Sequence, residues 1–202
     1  MILSQSKREL TTDDFELMEL PKSFWKVKWS DFKNTPDLKY LERYLSRLHT
    51  AFEDGDGVFI GGPQLSGKSH LSAYIARLAR SYGASVQWAP AIDIQDKIYR
   101  RDMFQDNDSD YSILERYRKV DLLVIDNLGG EIPAVRHGRN HVVELIEHRI
   151  NWNKPMVINC CRDKDMDTLY HEGYLNWLLS LHLTVFLPAM PRDIVMNKYA
   201  KD

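Results

Sequence analysis

Cysteine is almost missing from this 202-residue chain: there are two, Cys160 and Cys161, and they are adjacent. Adjacent cysteines suit neither an ordinary structural disulfide nor a metal site of spaced ligands, so reduced thiols are expected. An excess of charge of one sign is missing too. The balance of 27 Lys and Arg against 29 Asp and Glu excludes a globally basic coat for nucleic acid and leaves only a local basic patch. No apolar run approaches the length of a membrane span, and Met1 to Arg8 hold no apolar core of signal-peptide length. Internal repeats and low-complexity tracts are also lacking. The expectation is a soluble, cytoplasmic protein with no membrane partner, long enough for one substantial core.

What is present is concentrated at residues 62 to 69. Gly62-Pro63-Gln64-Leu65-Ser66-Gly67-Lys68-Ser69 is a complete G-x-x-x-x-G-K-[ST] phosphate-binding loop. Gly62 and Gly67 permit tight turns that bring backbone N–H groups against phosphate oxygens. Lys68 is placed to reach the β- and γ-phosphates, and the Ser69 hydroxyl to ligate Mg²⁺. The context fits: Val58-Phe59-Ile60 is a short apolar run before the loop, and Ser69 to Ser81 reads as a helix after it. Such a helix turns its N-terminus, with partial positive charge and unpaired donors, toward the anion.

A phosphate loop of this kind needs an acid for the metal at the end of a neighbouring buried strand. Asp121-Leu122-Leu123-Val124-Ile125-Asp126 supplies it, four apolar residues running into Asp126. The two motifs together point to an ATP-binding domain. Hydrolysis usually calls on a second acid beside the metal aspartate, and here that position is Asn127. An amide orients water but cannot accept its proton. The expectation is competent binding with slow intrinsic turnover, with Asp121 and Glu131 as the nearby acids that could substitute.

Elsewhere the pattern alternates. Pro36 opens a helix through Leu38, Leu41, Tyr44, Leu45 and Leu48, and Asp54-Gly55-Asp56-Gly57 turns into the first strand. Further strands are read at Ser85–Trp88, Leu122–Ile125, Pro155–Ile158 and Leu183–Leu187, with helices over 91–104, up to Lys119, and from Arg139 to Trp152. Strands alternating with helices mean an α/β sandwich around a mostly parallel sheet. Residues 1–35 read as an irregular arm, whose Phe24, Trp25, Trp29 and Phe32 either pack onto the domain or meet a partner.

The stretch from Asp121 to Glu131, D-L-L-V-I-D-N-L-G-G-E, resembles the bacterial helicase loaders DnaC and DnaI and the transposition ATPase IstB, which are AAA+ proteins. Gly67-Lys68-Ser69-His70-Leu71-Ser72-Ala73, the segment from Val142 to Pro155, and the aromatic lead-in from Phe24 to Phe32 carry the same resemblance, which covers residues 24 to 192. It implies an α/β P-loop NTPase of AAA+ (ASCE) type, with a parallel five-stranded sheet in the order 5-1-4-3-2 and a minimal or absent C-terminal lid. The corresponding division is an arm at 1–35 and an ATP-binding domain at 36–202. It also implies ATP and Mg²⁺ as ligands, a homo-oligomer, and single-stranded DNA, a replicative helicase or another loader as partners. The function implied is that of a helicase loader. The alternatives are a weakly hydrolysing scaffold or inhibitor of a loader, or an ATPase of genome packaging or transposition.

By the same resemblance Lys68, Asp126, Asn127 and Asn159 would do the chemistry, Ser69 and Asp126 would hold the metal, and His70 and Arg192 would join the loop at the nucleotide. Three departures stand out. Where the family ends its fourth strand on an asparagine that senses the γ-phosphate, this chain reads Asn159-Cys160-Cys161, with Cys161 at the matching position and Asn159 as the substitute. The family's finger arginine is missing from Leu179-Ser180-Leu181-His182, leaving Arg149 or Arg162 either as stand-ins or as packing and surface residues. Arg192 is one residue out of register with a second sensor arginine. His137, His141 and His148 lack metal-ligand spacing. Arg100, Arg101, Arg116, Arg118 and Lys119, with Tyr111 and Tyr117, form either a phosphate-tracking patch or a solvated helix face.

Overall fold

The computed structural model describes residues 6–32, 36–104, 109–131, 140–160 and 171–188. In chain order the helices are Thr12–Leu17 (α1), Pro36–Ser46 (α2), Leu48–Asp54 (α3), Lys68–Ser81 (α4), Ala91–Phe104 (α5), Ser109–Lys119 (α6), His141–Asn151 (α7) and His171–Leu181 (α8). The strands are Gly57–Gly61 (β1), Val86–Pro90 (β2), Leu122–Leu128 (β3), Met156–Cys160 (β4) and His182–Phe186 (β5). They form one sheet in the order β2-β3-β4-β1-β5, every pair parallel. That is the expected order, counted from the other edge.

A parallel sheet needs helices on both faces, and period-two alternation along its strands builds two cores. Val58, Ile60, Trp88, Val124 and Val157 point to one face, where α2, α3, α4 and the arm cover them. Phe59, Ala89, Leu123, Ile125 and Ile158 point to the other, under α5, α6, α7 and α8. Because β3 and β4 are buried on both faces, they read as continuous apolar runs rather than alternating ones.

The irregular arm proves to be partly helical. Thr11 and Asp14 form a reciprocal capping box at the start of α1, a signal too short to stand out from the acids around it. The arm then closes the β2 edge: the Trp88 N–H donates to the Met18 carbonyl at 2.8 Å. Its aromatics pack inward, Trp29 on Tyr74 and Phe24 on both His70 and Trp88. The predicted helix from Pro36 is broken at Arg47, and α3 ends at Gly55, whose φ of 76° gives the left-handed cap that favours glycine. Helix α8 falls where the sequence pattern suggested no element.

Asp14 anchors the arm. It accepts hydrogen bonds from Arg8 Nη1 at 2.6 Å and Arg80 Nε at 2.9 Å, and from the Thr11 N–H at 3.0 Å. The Arg8 guanidinium, chiefly, holds its carboxyl well below the usual carboxylate range. A depressed value means the stabilisation is present at neutral pH and is lost as pH falls through the folded-state value. Asp14→Asn should therefore melt lower than the wild type at pH 7, and the gap between their melting curves should begin to narrow as pH falls below about 4.

Candidate functional site

The site is assembled at the C-terminal ends of β1, β3 and β4. There β1 sits between β4 and β5 while the next strand in the chain, β2, lies at the far edge. Crevices at such reversals are where open α/β sheets bind ligands. The loop from Gly62 to Gly67 leaves β1 and enters α4 through residues with positive φ: Gly62 at 146°, Leu65 at 62° and Gly67 at 92°. Gly62 is required for space as well as conformation. A Cβ there would stand 2.6 Å from the Leu187 carbonyl oxygen and 2.9 Å from Ser66 Oγ. Gly67, the N-cap of α4, has no side chain to cap the first turn. The first-turn amides are left for an anion.

Lys68 Nζ is buried and donates to the loop's own carbonyls, Pro63 O at 2.7 Å and Gly62 O at 3.0 Å. Ser66 Oγ is buried without a hydrogen-bond partner among the described residues. Pro63, Gln64 and Leu65 stand exposed around the turn. These are the marks of a cradle whose donors await phosphate oxygens.

Asp126 is the hub. Its Oδ1 accepts the Ser69 hydroxyl at 2.8 Å and Asn159 Nδ2 at 2.6 Å. Asn159 is buried and uses both ends of its amide. Nδ2 also donates to Ser72 Oγ at 2.9 Å, and Oδ1 accepts the Asn127 N–H at 2.9 Å. This network orients the amide. Between Ile125 and Leu128 the pairing of β3 with β4 is irregular, and Asn127 takes a φ of 59°. A bulge at a strand end re-aims side chains, and here it leaves Asn127 exposed, with its amide against Gly130.

The fourth-strand asparagine at the carboxylate is therefore Asn159, on β4, while Cys161 lies outside the described residues, as do Arg162 and Arg192. Cys160 is buried. Ser72, one helical turn beyond Ser69 on α4, was not singled out from sequence, although i, i+3 spacing places it on the same face. His70 is turned to the arm, its ring 4.9 Å from that of Phe24.

The two acids considered as substitutes are both engaged elsewhere. Asp121, at the opposite end of β3, accepts the Ser85 N–H at 2.8 Å and the Ser85 hydroxyl at 2.6 Å. Glu131 is buried; it accepts the Gly129 N–H at 2.7 Å and Asn140 Nδ2 at 3.2 Å, and burial pushes its carboxyl up. Arg149 is no candidate for a finger, since it is wholly buried among backbone carbonyls. In the basic cluster Tyr117 is buried rather than available for stacking, Arg116 pairs with Glu19, and Arg118 and Lys119 pair with Glu115. His141 and His148 belong to no cluster: among the described residues no group of three or more His, Cys, Asp or Glu is placed to hold a metal ion. No helix among them is long and apolar enough to cross a membrane.

A nucleoside triphosphate with Mg²⁺ fits this residue set. The cradle offers uncapped amides, one cation and an orphaned hydroxyl, and Asp126 keeps Oδ2 without a partner among the described residues.

Comparison with known proteins gives a consistent picture. The sequence description of one family, the IstB-like ATP binding protein, matches residues 5–163. No curated protein sequence matches the chain. Among solved structures, the DnaC helicase loader is similar with a TM-score of 0.64 at 17% identity, over 83% of this chain and 99% of that one. DnaI is similar with a TM-score of 0.64 at 18% identity, over 86% and 96%. AMPPCP-bound DnaA from Aquifex aeolicus gives 0.61 at 16% identity over 81% of this chain, which spans only 50% of that protein. At these identities the likeness is one of fold.

Proposed function

Because the chain belongs to the IstB-like family of ATP-binding proteins, with the AAA+ fold, we propose that it is a nucleotide-switched accessory of DNA replication. It binds ATP, self-associates and acts on single-stranded DNA or on a replicative helicase, in the manner of a loader. The observation that supports this most is the convergence of Ser69 and Asn159 on one oxygen of Asp126, next to the Gly62–Ser69 loop.

In this reading the α4 amides and Lys68 bind the phosphates, and Ser69 and Asp126 hold Mg²⁺, which neutralises developing charge on the phosphates when bound. Lys68 must exchange its bonds to the Gly62 and Pro63 carbonyls for phosphate oxygens, so loop and ligand compete for one cation. Asn159 reports the ligand's state to β3 through the Asn127 N–H. Asn127 orients water without taking its proton, which makes turnover slow.

Lys68→Ala should weaken binding of a slowly hydrolysed ATP analogue by about 10- to 100-fold, the loss of charge-assisted hydrogen bonds, as read by calorimetry. The loader reading itself is tested by mass and stoichiometry with that analogue plus single-stranded DNA. A monomer indifferent to both would remove it. Asn127 also favours a second reading, a nucleotide-gated scaffold or inhibitor of a loader. ATPase activity at background with and without single-stranded DNA would support that one instead.

A further inference from the structure

Helix α1 carries an unused face. Asp13, Glu16 and Leu17 stand at i, i+3 and i+4, share one side of the helix, and are all exposed, Leu17 at 64%. Asp14, Phe15 and Met18 take the inward positions, so the outward acids and leucine contribute nothing to the fold's core.

At the other edge of the sheet there is a cleft of about 610 Å³ between α2, the turn before β1, and the junction of α8 with β5. Arg43 lines it from the last turn of α2 and Arg47 from the break between α2 and α3, with Tyr40 and Leu181 exposed beside them at 59% and 41%. The Arg43 guanidinium lies 5.9 Å from the centre of the Tyr40 ring. Neither arginine forms an ion pair among the described residues. Asp56 is the one acid among the described residues that line the cleft.

We infer that the α2–β5 cleft receives α1 of a second copy of this chain. Leu17 enters the groove between Tyr40 and Leu181, and Asp13 and Glu16 meet Arg43 and Arg47. The chemistry matches: two acids on one side of a short helix face two cations that line one cleft, with an apolar residue on each side. The placement matches as well. Helix α1 is tied to the last turn of α4 through Asp14 and Arg80, and it flanks β2, while the cleft opens where β1 and β5 begin. Strands β2 and β5 are opposite edges of the sheet, about 19 Å apart across four strand spacings. A contact between different patches on opposite edges is heterologous, so it propagates into a ring or an open helical array. Two cations beside an acid make a poor track for a phosphate backbone, whereas this chain itself supplies the complementary face. The contact lies away from the phosphate loop and does not rest on the nucleotide reading.

The test is sedimentation of the nucleotide-free full chain over a concentration series at low and high salt. The expected result is association weakened by salt. It should be at least ~100-fold weaker in Asp13→Lys/Glu16→Lys and in Arg43→Glu/Arg47→Glu, because like charges then face each other. Mixing the two variants should restore assembly, since each altered face then meets a complementary one, and this recovery also shows that both variants fold. Lys68→Ala should associate like the wild type, which separates this contact from nucleotide binding. A wild type that stays monomeric up to ~100 μM, or variants that assemble normally or fail to rescue one another, would overturn the proposal. So would loss of single-stranded DNA binding by the arginine variant with its mass unchanged, which would give the cleft to nucleic acid.

Discussion

Arg149→Met should lower the melting temperature by roughly 10 °C. Arg149 is wholly buried and its guanidinium closes three elements at once. Nη1 donates to the carbonyls of Tyr117 at 2.7 Å, Arg118 at 3.2 Å and Val120 at 3.0 Å. Nη2 donates to those of Asp121 at 3.3 Å and Pro155 at 2.9 Å. The first of these are end carbonyls of α6, which have no partner inside their helix. The others lie where β3 and β4 begin. Methionine fills the volume but leaves acceptors dry, and removing one side of a buried charged contact costs about 3–5 kcal/mol. For a domain of this size each kcal/mol moves the melting temperature by about 2–4 °C. Burial pushes the Arg149 guanidinium down to about 9, so it remains a cation at neutral pH. Arg149→Lys should recover only part of the loss, because three ammonium protons cannot cover five carbonyls. Thermal melts followed by circular dichroism check both variants. A methionine variant within about 2 °C of the wild type would mean that water satisfies those carbonyls.

The same residue shows where a sequence stops being legible. The phosphate loop and the Leu122–Asp126 strand are local patterns whose chemistry depends on neighbours in the chain, and both stand together at the site. Arg149 takes carbonyls from residues about thirty positions away, and nothing in its own neighbourhood announces them. Asn159 lies between these cases. Its role depends on how β4 registers against β3, Ile125 opposite Ile158 but Leu128 opposite Cys160. The shift absorbed at Asp126 and Asn127 puts Asn159 beside the carboxylate, where motif matching alone pointed two residues on, to Cys161. A bulge slips one strand past the other without leaving a mark in either strand's apolar pattern. Helix α1 was missed for another reason. Six residues carry too few turns for periodicity, and Phe15 and Met18 become core only because the β2 edge is there to be covered.

The sharpest consequence of the site concerns Asn127. Asn127→Asp should raise ATP turnover at pH 7 by about 100-fold while leaving affinity for a slowly hydrolysed analogue unchanged. The substitution keeps shape and backbone. A φ of 59° is tolerated by Asn and Asp alike, whereas the longer, less tolerant Glu would strain the bulge. The Asn127 N–H would keep its bond to Asn159 Oδ1, so the aim of the side chain is preserved. What changes is the ability to accept a proton. The new carboxylate would stand next to Asp126, and like charges raise the pKa of one member of such a pair, bringing it nearer the range useful to a general base. The pH–rate profile should therefore gain an acidic limb that the wild type lacks. The measurement is steady-state phosphate release by both proteins across pH 5 to 9, alongside analogue binding by calorimetry. Higher turnover with equal binding would mean that Asn127 faces the attacking water and that slow hydrolysis is set at this one position. Unchanged turnover with intact binding would place the water elsewhere, and Glu131 would then have to leave the Gly129 N–H and Asn140 to reach it.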